Sequence, residues 1–337
     1  MMLQLARTRS TERIAEIPLS RGHACVFEHA RDVPMEIWAR GFADTPKDFQ
    51  YYELLEQTMG WPFEYRYLAV FDEADRPVAL QPLVLTTQDL VASANETLVR
   101  VVAKLRRLWP SFLRSRMALA GCLVGEGKTG AIESVEVVIP LVAEALEKYA
   151  RGQEIFLVAF KDFPRKIRGA FSCLNRSGYA RAAGFPSLTL ELDFASFDEY
   201  MATHLSRATR KNLRRKFRYF IWRQGSRAVA FSFCTIWNET LYDNDIGLDY
   251  SVAYELNLYY LTFRDLLNWA LANGLRRYAS APFDYDPKLR LRLQLQPVDI
   301  YAKHTSLWLN PLIKVFARLF EPARTDPMLR RHLHLWR

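Results

Sequence analysis

The stretch LAVFDEADRPVALQPLVL, residues 68–85, does most to set the fold class. Two apolar runs flank a polar turn at residues 72–76, which is the pattern of an antiparallel hairpin. Beyond the hairpin the sequence predicts a strand, a helix, a strand, a helix and a strand, over residues 116–124, 134–149, 154–160, 167–177 and 186–192. The first half of the chain is therefore predicted to be a mixed α/β unit.

The same order of elements recurs in the second half of the chain. After a basic helix over 197–222, the sequence predicts strands and helices over residues 228–236, 240–249, 257–272, 275–281, 287–295 and 297–304. Ordinary α/β alternation would also produce this order, but a glycine closes the long helix of each half, at Gly152 and at Gly274. We therefore expect an α/β fold with two tandem mixed sheets flanked by helices, in domains 1–193 and 194–337. The second unit is shortened, because only residues 224–227 separate the basic helix from its first strand.

Composition limits the classes of partner and site. The 337 residues carry a net charge of +9, which indicates an anionic partner without naming it. The four cysteines are scattered, without zinc-ligand spacing, so neither a metal site nor a disulfide framework is predicted. No apolar signal segment or membrane-spanning stretch is evident. We expect a cytoplasmic protein, with peripheral contact at the inner face of the membrane as an option.

The most basic segment is SFDEYMATHLSRATRKNLRRKFRYF, residues 196–220. Ser196 and Glu199 form the pattern of a capping box at its start. A solvated helix face is the common explanation for a charge run. The scarcity of acidic residues among these cations indicates a bound polyanion instead.

Part of this segment, LSRATRKNLRRKFR at residues 205–218, resembles the linking helix of the FemAB-like and BioF2-like acyltransferases of the GNAT superfamily. The later stretch IGLDYSVAYELNLYYLTFRDLLNWALANGLRRY, residues 246–278, is similar to that family too. The tyrosine and lysine at Tyr285 and Lys288 extend the similarity, as does the strand that ends at Tyr301 and His304. The first half of the chain resembles the family only in the order of its elements.

The resemblance implies a double GNAT fold and an acyltransferase. The acyl group would pass from acyl-CoA, a carrier protein or an aminoacyl-tRNA to an amine or hydroxyl, with no tightly bound cofactor. The acceptor would be a small molecule or a cell-wall or polysaccharide precursor. GNAT chemistry resembles direct attack on the thioester, with the carbonyl oxygen held by a backbone N–H on a splayed strand. By the same likeness, the donor would contact Ser206, Arg210, Lys211 and Arg214.

A glycine-rich loop lies in the segment ALAGCLVGEGKTGAIESVEVV, residues 118–138. Glycines and a helix N-terminus can cradle a phosphate, so we predict donor binding at Gly125, Gly127, Lys128 and Thr129. A Walker A loop is not supported, because Cys122 stands where its first glycine is required. An ordinary flexible turn is the alternative explanation of this loop.

Three acids alternate in LYDNDIGLDYS, residues 241–251, so Asp243, Asp245 and Asp249 are predicted to share one face of a strand. Clustered carboxylates raise one another's pKa, which would suit Asp249 as a general base. A charged edge strand that discourages aggregation is the alternative. Two tyrosines, Tyr259 and Tyr285, are candidates to protonate the leaving thiolate.

The acceptor is predicted to lie in a cleft between the two units. Its binding residues would be Asp243, Asp245, Lys288 and His304. Lys288 would hold a phosphate or a carboxylate there.

A second function class also fits the sequence, namely a non-catalytic GNAT-like module. Its basic helix would dock on RNA, an acidic carrier protein or a membrane. Residues 97–112 and the tail over 306–337 are amphipathic and basic. They either pack on the fold or lie on an anionic membrane surface.

Overall fold

The computed structural model describes residues 13–89, 91, 96–205, 222–319 and 321–336. The chain divides into two compact units. The first combines Met1–Gly184 with Asp299–Thr325, and the second combines Phe185–Val298 with Asp326–Arg337. Most of the predicted basic helix, residues 206–221, lies outside the described residues.

The first unit is built on a nine-stranded sheet with the order β1-β2-β3-β4-β5-β7-β16-β8, to which β6 adds beside β4. Numbered along the chain, these strands are β1 Arg13–Pro18, β2 His23–Phe27, β3 Glu64–Phe71, β4 Pro77–Asp89, β5 Arg114–Ala120, β6 Gly130–Ala131, β7 Leu157–Pro164, β8 Ala180–Ala183 and β16 Val298–His304. The predicted hairpin is β3–β4, whose register joins Phe71 to Pro77 across the turn. A parallel pair, β5 and β7, lies in the middle of the sheet.

Helices cover both faces of this sheet. They are α1 Met35–Gly41, α2 Phe49–Thr58, α3 Glu96–Leu105, α4 Val135–Gly152, α5 Ser172–Arg176, α10 Asn310–Leu319 and α11 Pro322–Thr325. Strand alternation sends Leu68 and Val70 to the cluster that α4 covers, and Tyr67 and Ala69 to the cluster that contains Trp38. The unit therefore has a hydrophobic cluster on each side of one sheet.

The second unit is built on a five-stranded sheet with the order β12-β13-β14-β9-β15. Its strands are β9 Ser187–Glu191, β12 Ala230–Trp237, β13 Thr240–Leu248, β14 Arg277–Ser280 and β15 Gln294–Gln296, and a separate ribbon pairs β10 Arg223–Gln224 with β11 Arg227–Ala228. The helices of this unit are α6 Phe197–His204, α7 Tyr250–Leu256, α8 Leu258–Ala272, α9 Tyr285–Arg290 and α12 Pro327–Arg330. Only one pair in this sheet, β13 and β14, is parallel.

The two sheets share one topological motif. In each, an antiparallel strand precedes a parallel pair that is joined by a helical crossover, β4–β5–α4–β7 in the first and β12–β13–α7–α8–β14 in the second. The predicted α/β fold with two mixed sheets flanked by helices is confirmed, and the second sheet is the smaller.

Two strands join a different sheet from the one that the order along the chain suggests. β9 was expected to be the last strand of the first sheet. It pairs instead with β14 of the second sheet, where Leu190 lies opposite Tyr278. β16 was expected to be the last strand of the second sheet. It pairs instead with β8 of the first sheet, where Tyr301 lies opposite Arg181. A single division of the chain between residues 193 and 194 does not describe this exchange. An apolar run predicts a buried strand, but it does not state which sheet will bury that strand.

A buried ion pair holds β16 in the first sheet. The Asp299 carboxylate is 1% exposed and accepts hydrogen bonds from Arg168 at 2.6 and 2.9 Å and from Arg181 at 3.0 Å. Because a buried carboxylate needs paired charge, these two arginines fix the position of the strand.

Candidate functional site

The parallel strands of the second unit separate before β13 ends. They pair over Thr240–Asp243 and Arg277–Ser280, and the last hydrogen bond runs from the Ala281 N–H to the Asp243 carbonyl at 3.1 Å. β14 stops there, while β13 continues to Leu248 along β12. Beyond the ladder, the edge of residues 244–248 that faces away from β12 has lost its neighbouring strand. We call the space beside residues 244–248 the strand gap.

A β-bulge in β13 lies at the start of the strand gap. Phe233 pairs with Asp245 and Cys234 pairs with Asp243, which leaves Asn244 as an extra residue in β13. Bulges bend a strand and change the direction of the residues that follow. The bulge overturns the prediction of a shared carboxylate face, because it interrupts the alternation: Asp243 is buried and Asp245 is exposed.

Asp243 is the buried acceptor at the end of the parallel ladder. Its carboxylate accepts a hydrogen bond from the Tyr278 hydroxyl at 2.6 Å and a second from the Ser232 hydroxyl. Burial, followed by the adjacent Asp243 carboxylate, raises the pKa of Tyr278 well above its ordinary value. Tyr278 therefore stays protonated and keeps donating to Asp243.

Lys288 stabilises the loop that follows β14, where the chain moves away from β13. It is 7% exposed, and its ammonium donates to the carbonyls of Ala281 at 2.7 Å and Phe283 at 2.8 Å. Phe283 and Asp284 in this loop have positive φ angles of 73° and 50°, a conformation that needs support from its surroundings. The sequence predicted that Lys288 binds a phosphate or a carboxylate. In the structure its ammonium supports the loop, because it bonds to these two carbonyls. Burial lowers the pKa of its ammonium to about 8.

Tyr259 lies in the first turn of α8. Burial raises its pKa above the ordinary tyrosine value, and the charges of Asp284 and Asp243 raise it further. The hydroxyl is protonated at neutral pH, as that of an ordinary tyrosine is, and the raised pKa makes it a weaker acid. The same two carboxylates act on the pKa of Lys288, so three of the predicted residues, Asp243, Tyr259 and Lys288, lie in one electrostatic neighbourhood.

Tyr285 has a different environment. Its hydroxyl donates to the Pro186 carbonyl at 3.1 Å, and its side chain is 2% exposed. The contact ties the start of α9 to the segment before β9. The structure gives Tyr285 an anchoring contact where the sequence predicted a proton donor.

Asp249 caps helix α7. Its carboxylate accepts hydrogen bonds from the Ser251 N–H at 3.1 Å and the Ser251 hydroxyl at 2.7 Å, and it forms an ion pair with Arg227. These hydrogen bonds, followed by the charge of Arg227, lower the pKa of Asp249. The expected rise of this pKa is therefore wrong, because the partners of Asp249 are a hydroxyl and a cation, not other carboxylates.

The N-terminus of α8 lies at the end of β13. Leu258 and Leu261 in its first turn pack in one cluster with Leu248, the last residue of that strand. Asn257, in the left-handed conformation with φ of 52°, makes the turn between α7 and α8. A helix N-terminus presents backbone N–H groups and a positive dipole end, which favour an anion.

The corresponding loop of the first unit is closed by its own hydrogen bonds. The Gly127 N–H donates to the Asp162 carbonyl at 3.0 Å, and a Cβ at Gly127 would lie 2.3 Å from the Lys161 carbonyl. The Lys47 ammonium donates to the carbonyls of Val124 and Glu126, at 2.8 and 2.6 Å. This loop therefore presents carbonyls to a cation and packs against β7.

The other predicted donor-binding residues of that loop are also engaged. The Thr129 hydroxyl donates to Gln81 at 2.6 Å, Lys128 forms an ion pair with Asp44, and Gly125 lies against the Lys47 ammonium. The predicted phosphate cradle does not match this geometry, because the Gly127 N–H and the side chains of Lys128 and Thr129 already bond within the unit.

The remaining predicted residues lie elsewhere. His304 belongs to the first unit, where its Nδ1 accepts from the Ser306 N–H at 2.9 Å and burial lowers its pKa. The predicted donor ligands Ser206, Arg210, Lys211 and Arg214 are outside the described residues. Among the residues that are described, no group of three or more His, Cys, Asp or Glu side chains is arranged to hold a metal ion. None of the described helices is long and apolar enough to cross a bilayer.

Three residues of the site, Tyr278, Ser232 and Asp284, were not predicted from the sequence. Tyr278 and Ser232 reach Asp243 from the two strands that flank β13, so only the sheet register places them. No spacing along the chain could reveal these contacts. The positive φ at Asp284 belongs to the loop that Lys288 holds through the Ala281 and Phe283 carbonyls, although aspartate is among the residue types enriched in that conformation.

Comparison with known proteins gives distant resemblances only. No protein family model matches the chain, and no curated protein matches it. The solved structures that resemble it include a GCN5-related N-acetyltransferase from Sphaerobacter thermophilus, at 8% identity and a TM-score of 0.38, over 84% of this chain and 96% of that one. L-PGS from Bacillus licheniformis matches at 10% identity and a TM-score of 0.41, over 78% and 90%.

A third structure is a GCN5-related glucosamine N-acetyltransferase region of a fungal multi-domain GH3 β-N-acetylglucosaminidase. It matches at 11% identity and a TM-score of 0.42, over 86% of this chain and 39% of that one. At such identities and scores, the case for function has to come from the residues of this chain.

Proposed function

We propose that the second unit is an acyltransferase centre. It would transfer an acyl group from a thioester donor, of which acyl-CoA is the simplest, to an amine or hydroxyl acceptor. The observation that carries the proposal is the strand gap, where β13 continues past the end of its parallel ladder with β14. An open strand edge offers main-chain N–H groups that can hold the carbonyl oxygen of an acyl donor.

The chemistry needs a proton donor for the leaving group and little else. The acceptor nitrogen or oxygen forms a bond to the thioester carbon, the C–S bond breaks, and the thiolate takes a proton from the Tyr259 hydroxyl. The acceptor's own proton is released to solvent and Tyr259 is reprotonated from solvent. Tyr259 can fill this role because its hydroxyl is protonated at neutral pH and lies in the same electrostatic neighbourhood as Asp243 and Lys288; the raised pKa makes it a weaker acid, so its contribution depends on its position.

The surroundings of the strand gap support a phosphate-bearing donor. The N-terminus of α8 lies beside Leu248, where its dipole favours a phosphate group of the donor. Lys288 keeps the loop after β14 in its strained conformation and so keeps the two strands apart. Catalysis would come mainly from positioning and from the polarised carbonyl.

The two units would have different roles. In the first unit, the corresponding loop bonds to Asp162, Lys47 and Gln81 within its own unit. We infer that the first unit does not hold the donor.

A crosslinking experiment tests which unit binds the donor. A photoreactive acyl-CoA analogue is irradiated with the protein, and the modified peptides are identified by mass spectrometry. We expect modification within residues 244–260 or 281–288 and protection by excess acetyl-CoA. Modification confined to residues 121–134 would assign the donor to the first unit and contradict the proposal.

Turnover tests the role of Tyr259. Release of free CoA from acetyl-CoA is followed in the presence of a panel of primary amines and amino sugars, and acetylated products are identified by mass. Tyr259→Phe should lower turnover by roughly two to four orders of magnitude while donor binding is retained. Tyr254→Phe is the matched control, because Tyr254 is 93% exposed, and it should behave as the unaltered protein does.

Asp249→Asn distinguishes the proposed centre, in which Asp249 only caps a helix, from the sequence prediction that Asp249 is the general base. Because Asp249 caps a helix and pairs with Arg227, the variant should keep turnover within about threefold. A loss as large as that expected for Tyr259→Phe would restore Asp249 as the base.

A further inference from the structure

Several strands of the first unit begin or end along the same side of its sheet. This side is formed by the ends of neighbouring strands, not by an outer strand, and it is called an edge below. β3 and β4 are antiparallel, as are β4 and β5, while β5 and β7 are parallel, so β3, β5 and β7 all begin at the same edge. The Phe156 N–H bonds to the Arg116 carbonyl at 3.1 Å, and the Thr305 N–H bonds to the Phe156 carbonyl at 2.9 Å. The end of β16 therefore meets the same edge.

Exposed apolar side chains occupy the connections at this edge. Trp61 is 96% exposed and lies just before β3, while Leu108 and Trp109 are 90% and 62% exposed and lie between α3 and β5. Leu307 and Trp308 follow β16 and are 78% and 92% exposed. We call this surface the tryptophan edge, and it consists of Trp61, Leu108, Trp109, Phe156, Leu307 and Trp308.

The tips of the tryptophan edge are held in place. On one side of the Leu307–Leu309 tip, Thr305 bonds to Phe156, and on the other the Asn310 side chain accepts from the His304 N–H and donates to the Gly178 carbonyl. Arg106 braces the Trp109 tip by donating to the Phe112 carbonyl at 2.8 Å. These large apolar residues are therefore presented to solvent by hydrogen-bonded connections.

Cations accompany the apolar tips. Lys104, Arg107 and Arg114 are exposed around the Leu108–Trp109 tip, and Lys314 is exposed on α10 just after the Leu307–Leu309 tip. The carboxylates of Glu64 and Asp89 form ion pairs with Arg116 and Arg106, and Glu154, two residues before Phe156, adds one exposed carboxylate against the four exposed cations. The tryptophan edge thus combines protruding aromatic groups with a positive charge.

We propose that the tryptophan edge binds the surface of an anionic lipid bilayer. Five neighbouring strands from β3 to β16 place the tips along a line of roughly 20 Å. Trp61 and Trp308 are each more than 90% exposed, so each protrudes from the surface by itself. Burying such side chains requires a medium that surrounds each one, as lipid headgroups and acyl chains do. Tryptophan is favoured at that interface, and the cations match the negative lipid surface.

Vesicle sedimentation tests the proposal with the full chain. The probes are large unilamellar vesicles of phosphatidylcholine alone and of an equimolar mixture of phosphatidylglycerol and phosphatidylcholine. We expect binding to the mixed vesicles, weaker binding to phosphatidylcholine, and a loss of binding as salt rises. The double variant Leu307→Ser/Trp308→Ser should reduce partitioning by about tenfold or more.

Two further variants separate the contributions. Arg107→Gln/Arg114→Gln/Lys314→Gln should lower partitioning onto the mixed vesicles by about a hundredfold and leave phosphatidylcholine binding nearly unchanged. Tyr254→Ser removes an equally exposed aromatic residue from the second unit and should bind as the unaltered protein does. All variants alter exposed positions, and circular dichroism checks their folding.

Three outcomes would overturn the proposal. The unaltered protein could fail to bind mixed vesicles, or the serine variant could bind them as strongly as the unaltered protein does. The third is a dimer that the serine variant dissociates, in a protein that ignores lipid, which would assign the tryptophan edge to a second copy of the chain. None of these outcomes depends on acyl transfer, so the two proposals fail separately.

Discussion

Replacing Lys288 by methionine tests whether its buried ammonium has a lowered pKa. The side chain is 7% exposed, and burial lowers its pKa from the ordinary 10.5 to about 8. Below pH 8 the ammonium is charged in both the folded and the unfolded chain, and burying its charge opposes folding. Between pH 8 and 10.5 the unfolded chain binds more protons at this group than the folded chain does. The free energy of unfolding therefore rises with pH in that window.

The magnitude follows from the size of the shift. The complete shift corresponds to about 3 kcal/mol, of which about 2 kcal/mol falls between pH 7.5 and 9.5. Methionine is similar in length and carries no charge, so the variant lacks this contribution. The free energy of unfolding of the unaltered protein, minus that of Lys288→Met, should therefore increase by about 2 kcal/mol from pH 7.5 to 9.5.

Urea unfolding at several pH values measures this difference. Tyr259, whose pKa is raised by burial, does not titrate in the window and leaves the comparison clear. The carbonyls of Ala281 and Phe283 lose their donor in the variant at every pH, which lowers its stability without adding a slope. A difference that stays flat from pH 7.5 to 9.5 would refute the lowered pKa. A lysine NMR titration with a midpoint near 10.5 would refute it independently.

Three further predictions concern stability. Gly127→Ala should destabilise the first unit by about 2 kcal/mol or more, because the added Cβ would lie 2.3 Å from the Lys161 carbonyl. Gly152→Ala is the control, because the space around Gly152 is open, and it should be neutral or stabilise α4 by about 0.5 kcal/mol. Thermal unfolding compares the pair, and equal midpoints would contradict the packing of the loop on β7. A double-mutant cycle of Asp243→Asn and Tyr278→Phe should give a coupling energy of about 1.5–3 kcal/mol, and a value near zero would mean that the 2.6 Å contact does not stabilise the fold. Asp299→Ala should cost about 3 kcal/mol by urea unfolding because it leaves Arg168 and Arg181 without their shared carboxylate, and a cost below about 1 kcal/mol would show that β16 is held by its ladder alone.

Local patterns in the sequence were sufficient to predict most elements. The polar turn between two apolar runs at residues 68–85 became β3–β4, and the apolar stripe over 134–149 became α4. The predicted cap at Ser196 is present, with the Ser196 hydroxyl accepting from the Glu199 N–H at 3.1 Å, while the Glu199 carboxylate accepts from the Ala195 N–H at 2.8 Å and not from Ser196 as a full capping box requires. These features depend on residues within a few positions of one another, which is why composition and spacing determine them.

The candidate site was less accessible to sequence reasoning. Two of the residues at the strand gap, Asp243 and Lys288, were selected, but with the wrong partners. Alternation placed Asp243 with Asp245 and Asp249, and it failed because one extra residue, Asn244, forms a bulge. A bulge is set by the pairing of two strands and leaves no mark in the spacing of one strand.

By itself, the sequence determined that the chain has two mixed α/β sheets flanked by helices, because hydrophobic periodicity is a local property. Only the tertiary structure decided that β9 and β16 exchange sheets, that the parallel strands of the second unit part after Asp243, and that the glycine loop of the first unit is closed. It also decided that Trp61, Trp109 and Trp308 reach one edge of a sheet. Each of these depends on contacts between residues far apart in the chain, which form only when the strands have found their register.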